Sequence, residues 1–233
     1  MAGHHRRRAA APDHHERPDV RRCHVLAGRH RRDAGLPGRR QARGDGGPGR
    51  RTTLVNHPVL GTLTAVPAPA RPDLLAEPVA VALAGLDAGR VAVAEIDPDL
   101  ADTAAFCAAY SSPVERAANC VVVAGKRGGE TRYVACVVLA TTRVDVNGAV
   151  KRRLDVRTAS FAPMDDAVAL TGMAYGGITP IGLPADWPLW LSPGVAGADA
   201  VVVGSGTRAG KPAVPGDLPA SLPGAEVVPD LAR

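Results

Sequence analysis

The sequence predicts a mixed α+β domain (mixed α/β), and three observations carry that prediction. Two long apolar runs, residues 119–124 and 132–140, flank a Gly/Lys/Arg-rich link and read as a β-hairpin. Helical patterns, several opened by Asp and closed by Gly, fall between strand-like runs without a regular βαβ alternation. Aromatics make up only 3% of the chain, so the core must be built from Val, Ala and Leu. At 233 residues and 45% apolar content, the chain can hold one sizeable domain plus extras.

Residues 1–51 form an arm with no sustained periodicity. The arm holds 14 Arg, no Lys and 5 acidic residues, a charge of +9, whereas 52–233 carries −4. The overall +5 is therefore an average over two unlike parts. Six of the seven histidines lie in the arm, including His4-His5 and His14-His15. The composition favours an untranslated or out-of-frame leader from a GC-rich gene, read with too early a start. A disordered RNA tether acting by counterion release and a His-rich metal tract stay open. The basic start is followed by no apolar h-region, so a secretory signal is not expected. No apolar run approaches the roughly 20 residues that span a bilayer. Cys23, Cys107, Cys120 and Cys136 show no C-x-x-C spacing, which predicts reduced, mostly buried thiols in a cytoplasmic protein.

Residues 52–73 read as a lead-in to a domain over 74–232. Within it, 62–66 predicts a short strand that Pro67, Pro69 and Pro72 end. Asp73 is the expected cap of a helix through Leu74, Leu75, Val79, Ala82 and Leu83, with Pro78 calling for a kink or a later start. Residues 90–96 alternate as a strand. Asp97 or Asp99 would cap a helix over 100–110, and Pro113 opens a short one over 114–118. The near-continuous apolar runs predict strands buried on both faces at the sheet centre, with 125–130 as the hairpin loop. A short basic helix is expected over 149–154 and a strand over 159–162. Asp165 or Asp166 starts a helix that Gly172 ends. After the apolar segment 187–191, residues 201–203 form a strand, Leu218 and Leu222 suit a brief helix, and 226–228 is the last strand.

The loop Tyr175-Gly176-Gly177-Ile178-Thr179-Pro180-Ile181-Gly182 is the leading site candidate. Its paired glycines expose backbone N–H groups with no Cβ in the way, and its proline fixes the turn. Such a loop can bring peptide donors to a ligand carbonyl or phosphate, although a plain tight turn uses the same residue types. Segment 204–211 looks like a phosphate loop and fails the test. Ser205 stands where G-x-x-x-x-G-K-[ST] needs its first glycine, and Pro212 replaces the Ser/Thr. Ala209 falls at the third glycine of G-x-G-x-x-G. A glycine loop presenting Arg208 to an anion is left, alongside an ordinary turn. His57 is the sole histidine outside the arm, so the domain offers no Ser-His-Asp or Cys-His set and no metal ligands. Asp165-Asp166 suit helix capping better than paired acid chemistry. An enzyme built this way must work through backbone donors, cations and the substrate's own groups.

Taken together, residues 119–124, 134–143, 155–163, 175–182 and 204–211 give the chain from about 74 to 232 a resemblance to the YbaK/EbsC family. These are aminoacyl-tRNA deacylases related to the editing domain of bacterial prolyl-tRNA synthetases. The resemblance implies a curved, partly closed mixed sheet with flanking helices. It implies hydrolysis of the ester between a wrong amino acid and the tRNA 3′ adenosine. On the same basis Gly176 and Gly177, followed by Ile178, Thr179 and Pro180 and preceded by Tyr175, would cradle the carbonyl or 3′ end. Gly204, Ser205, Gly206 and Arg208 would lie near the phosphate or ribose. The family's typical active-site lysine opens the strand that begins here at Asn119, whose amide can donate a hydrogen bond but carries no charge. A second position where relatives often carry lysine holds Thr158. Charge would then come from Arg157, Arg152 or Arg208, since Lys126, Lys151 and Lys211 are the only lysines. The implied partner is the 3′ end of an aminoacyl-tRNA, with a synthetase as an option and no DNA, membrane, metal or cofactor. The alternative is a module that binds an aminoacyl or nucleotide ligand, or a synthetase, without turnover.

Overall fold

Two short strands, β1 (Val55–Asn56) and β2 (Thr64–Pro67), open the computed structural model, which describes residues 54–233. The arm, its charge and histidine readings and Cys23 lie outside the described residues. The lead-in belongs to the sheet, because β2 pairs with β3 (Ala92–Glu95). Between them, 3-10 turns at Ala68–Ala70 and Pro72–Leu74 absorb the prolines. Helix α1 (Glu77–Ala84) starts later than Asp73 predicts. Pro78 sits in its first turn, where a missing N–H costs nothing, and Asp73 instead pairs with Arg71 at 2.7 Å.

Asp97 caps only a 3-10 turn, Pro98–Leu100. The cap of α2 (Thr103–Tyr110) is Asp102, whose Oδ1 accepts from Ala104 N–H at 3.0 Å. The helix expected over 114–118 is one 3-10 turn, Val114–Arg116. β4 (Ala118–Arg127) and β5 (Glu130–Leu139) are longer than predicted. Only Gly128 and Gly129 form the turn, at φ +61° and +89°, as a two-residue hairpin loop requires. A π-helical turn (Val146–Val150) runs into α3 (Lys151–Arg153), followed by β6 (Thr158–Phe161) and α4 (Met164–Thr171). Gly172 ends α4 in the left-handed conformation, as expected. The remainder is β7 (Leu189–Leu191), α5 (Pro193–Ala196), β8 (Ala200–Val202), β9 (Gly210–Pro215), α6 (Asp217–Ala220) and β10 (Ala225–Val227).

The strands make two five-stranded sheets, β1-β2-β3-β9-β8 and β10-β7-β5-β4-β6. A single bridge between Ala117 and Val202 joins them at one corner. β7 runs parallel to both β5 and β10, and the other pairs are antiparallel. Strand β9 is absent from the sequence expectation because Pro212 and Pro215 argue against a central strand. Pro212 is tolerated one residue past the β8 ladder, where its carbonyl accepts from Val203 N–H at 3.0 Å.

β5 shows why its sequence is apolar throughout. Ala135 and Val137 enter the largest core, shared with Val93, Val201, Val214 and Val79. Val134, Cys136 and Val138 enter a second core with Val150, Trp190 and Leu231. A third cluster packs Phe106 of α2 against Ala94, Val202 and Ala213. No helix among the described residues is long and apolar enough to cross a membrane.

Candidate active site

The corner where the two sheets meet holds a cavity of about 640 Å³. Each wall comes from a different element. The start of β4 supplies Ala118, Asn119 and Cys120, and the start of α2 supplies Asp102, Thr103 and Phe106. The end of β8 and the residues after it add Val202, Val203 and Gly204, and β9 adds Lys211. The glycine loop contributes Tyr175, Gly176 and Ile178. Phe161 and Tyr175, 59% and 62% exposed, are the two most exposed aromatic side chains among the described residues, and both stand on this cavity.

The loop 175–178 is held from behind. Ala174 N–H donates to Gly206 O at 2.8 Å, and Gly206 N–H donates to Gly177 O at 2.7 Å. Ile178 packs against the main core and against a small cluster of Val122, Ala167 and Trp187. The backbones of the two glycine loops touch so closely that a Cβ on Gly177 would lie 2.3 Å from Thr207 O. The N–H of Gly177 donates to Ala174 O at 2.9 Å and is therefore committed inside the turn. Gly176 and Ile178 line the cavity, and no group among the described residues accepts from either N–H. Of the double glycine only Gly176 thus keeps a free N–H, and the next one on the lining is that of Ile178, two positions on.

Asn119 is fixed by its neighbour. Thr103 Oγ1–H donates to Asn119 Oδ1 at 2.7 Å. That contact turns the Nδ2 hydrogens, which have no acceptor among the described residues, away from α2. A neutral donor is thus held on the cavity wall by a hydrogen bond of ordinary strength, about 1 kcal/mol net.

The other predicted site residues divide. Thr179 and Pro180 are buried and do not line the cavity, and Thr179 Oγ1 has no hydrogen-bond partner among the described residues. Gly204 does line it. Ser205 is fully buried and engages Thr207 Oγ1 at 3.0 Å, and Thr207 Oγ1–H donates to Leu74 O at 3.0 Å. Gly206 packs on α1, since a Cβ there would meet Ala76 Cβ at 2.5 Å. Arg208 lies beside the loop. Its Nη2 donates to Pro98 O at 2.7 Å, and its Nη1 occupies the space a Gly176 side chain would need. Arg157 is exposed and away from the cavity, and Arg152 pairs with Asp230 at 2.7 Å on the surface. Cys120 reaches the cavity wall, but burial pushes its thiol far above the usual range, so it stays protonated.

The sequence reading missed Lys211, Thr103 and Asp102 as cavity residues. Nothing short of the β8–β9–α2 packing brings them together, and Lys211 follows Gly210 in a segment whose prolines masked the strand.

Residues 97–211 match the family model of the aminoacyl-tRNA editing domain. This stretch is an aminoacyl-tRNA editing domain. The match runs from the turn before α2 to Lys211 and so takes in the whole lining of the cavity. Solved structures agree with the fold of the editing domain. One, described as a candidate trans-editing enzyme for prolyl tRNA synthetase, superposes with a TM-score of 0.57 at 23% identity, over 66% of this chain and 94% of that one. A scaffold protein used for epitope backbone grafting matches with a TM-score of 0.57 at 23% identity, over 66% and 95%. A crystallised hypothetical protein matches with a TM-score of 0.50 at 20% identity, over 57% and 85%. Among curated proteins none matches the sequence.

Proposed function

We propose that the chain is a free-standing deacylase that hydrolyses the ester linking a wrong amino acid to the 3′ adenosine of a tRNA. The editing-domain match supports the reaction class, and the cavity at the sheet corner is the single observation that supports this location for it. Its volume of about 640 Å³ lies within the range of about 300–1,000 Å³ typical of small-molecule sites. It suits an aminoacyl group with its ribose, not the body of a tRNA. The net −4 of residues 52–233 fits a pocket that grips only the 3′ end.

In this reading the amides of Gly176 and Ile178 and Asn119 Nδ2 meet the ester carbonyl and ribose. Fixed donors aimed at a developing oxyanion are worth roughly 3 kcal/mol each in a dry site. Phe161 and Tyr175 at the mouth offer faces on which terminal bases can stack. Ser205, Gly206, Thr179 and Pro180 shape the two loops from behind, and Arg208 braces Gly176. The catalytic unit takes in β1 and β2 together with residues 74–232, and the cytoplasm is its place of work, with a synthetase as a partner that supplies mischarged tRNA.

The test is a deacylation assay with purified chain and a panel of mischarged tRNAs, starting with tRNAPro because the structural neighbour is described as a prolyl trans-editing enzyme. The expected result is loss of the ester well above the spontaneous rate for at least one pair. No acceleration with any pair contradicts the proposal.

A further inference from the structure

The cavity has one ammonium group, and no motif announces it. Lys211 is only 7% exposed, yet it lies on the lining. Strand alternation explains its direction. Val214 faces the core between the sheets, whereas Ala213 faces α2 together with Phe106. Lys211, two residues before Ala213, shares the α2 side, and its Nζ stands 5.1 Å from the centre of the Phe106 ring. Among the described residues no carboxylate pairs with it and no group accepts from it, whereas Arg127, Arg152 and Arg153 pair with Asp155, Asp230 and Glu226.

A buried ammonium without a protein acceptor is costly unless a ligand supplies the missing oxygens. Burial in fact holds Lys211 below the ordinary lysine range. Cys107 and Asp102 on the α2 side oppose that shift, and Arg208 adds to it. The aromatic face of Phe106 contributes electrostatic attraction but no hydrogen-bond acceptor. The three N–H bonds of the ammonium are therefore open to the cavity's contents. An apolar residue at this position would pack the α2 interface better, so the site carries a group that stability alone does not select.

We infer that Lys211 is a catalytic residue, the cation that takes the negative charge developing on the ester carbonyl oxygen. The inference rests on the deacylase reading above. Water adds to the carbonyl carbon and the carbonyl π electrons move to oxygen, where Lys211 donates to the resulting oxyanion beside the uncommitted loop amides. Collapse breaks the bond to the ribose oxygen, which takes one proton of the attacking water. The other proton leaves to solvent as the amino acid carboxylate ionises. Asp102, the one carboxylate on the lining, faces the same space and suits the substrate's α-ammonium.

The test compares single-turnover deacylation by the full chain, Lys211→Met, Lys211→Gln and Lys211→Arg. Methionine keeps the length of the side chain and the contact with Phe106. Loss of an oxyanion donor lowers kcat by about 10²–10³, and that loss is expected for Met and Gln, with partial recovery in Arg. Two readouts separate this role from a structural one. The spontaneous-corrected rate of the natural chain should fall as alkaline pH deprotonates Lys211, and the Met variant should lack that limb. The sign for stability is the opposite. Because the folded pKa lies below the unfolded one, the unfolded chain binds more protons between the two values, so the burial penalty is full below the folded pKa and fades as pH rises toward the unfolded one. Met removes the penalty, so its Tm at neutral pH should equal or exceed that of the natural chain while activity drops. If Met and Gln keep kcat within twofold, the inference is overturned and the deacylase reading stands. If the natural chain accelerates no mischarged tRNA, both fall. Should Met fail to fold, Gln alone decides by the same criterion.

Discussion

The two glycine loops at the cavity use the same residue type for different ends. Around Gly204, Gly206 and Gly210 the absent side chains let backbone meet backbone. A Cβ on Gly204 would lie 2.3 Å from Gly177 O, and one on Gly210 would lie 2.7 Å from Leu74 O. The polar side chains of that loop, Ser205 and Thr207, satisfy one another and the carbonyl of Leu74. Around Gly176 the backbone turns to φ +82°, and a Cβ would meet only the tip of Arg208, at 2.6 Å. Its N–H and that of Ile178 are left without acceptors among the described residues. The first loop is therefore chiefly a wedge that sets the sheet corner, with only the N–H of Gly204 left without an acceptor on the cavity among the described residues, and the second is a set of two such donors. A glycine-rich stretch is not in itself a binding loop; the hydrogen bonds it leaves unmade are what distinguish it.

Alanine scanning of the loops should break this contrast if it is wrong. Gly204→Ala forces backbone apart and should cost about 3 kcal/mol of stability, the upper part of the range for overpacking, read by urea denaturation. Gly176→Ala needs an L residue at positive φ and a shift of a flexible guanidinium, and should cost about 1 kcal/mol while lowering deacylation. Equal losses at both positions would remove the distinction. The donor on β4 gives a finer test. Thr103→Val removes the hydrogen bond that orients Asn119, worth about 1 kcal/mol. The expected result is a fall of about fivefold in kcat, with Thr103→Ser restoring it and with Tm little changed. The smallest effect is expected at Arg157, which is exposed and off the lining. Arg157→Ala should leave deacylation within twofold, and a large loss would mean that substrate charge is met outside the cavity.

Much of the fold was legible because its signals are local. Alternation in 90–96, the apolar continuity of β4 and β5, and Gly172 after α4 each report on their own neighbourhood. Errors arose where two local signals competed. Asp73, Asp97 and Asp99 look like helix caps, but Pro78 and the 3-10 turn at Pro98–Leu100 moved the starts to Glu77 and Thr103. The glycines of 125–130 read as one loop, whereas only Gly128-Gly129 turns and Gly125 stays in β4, packed under Leu154 and Val156. Strand β9 was hidden by prolines whose tolerance depends on where the β8 ladder stops.

The site was legible in part for the same reason. The family resemblance implied a common site for Asn119, Gly176 and Gly204, and all three line the cavity. Gly177 and Ser205 could not be sorted from them, because commitment of an N–H or hydroxyl depends on partners such as Ala174 O and Thr207. Lys211 could not be seen at all. Its meaning comes from Phe106, 105 positions away in the chain, and from the lack of any acceptor around it.

The most direct test of the account is where an uncleavable substrate binds. Titrating the isotope-labelled chain with an adenosine that carries its amino acid through a 3′-amide, and following backbone and side-chain N–H resonances, locates the acylated terminus. Asn119 Nδ2 and the amides of Gly176 and Ile178 are expected to shift together, while Gly177 and Arg157 stay in place. Shifts gathered at Arg157 or Gly177, with Asn119 unmoved, would contradict it.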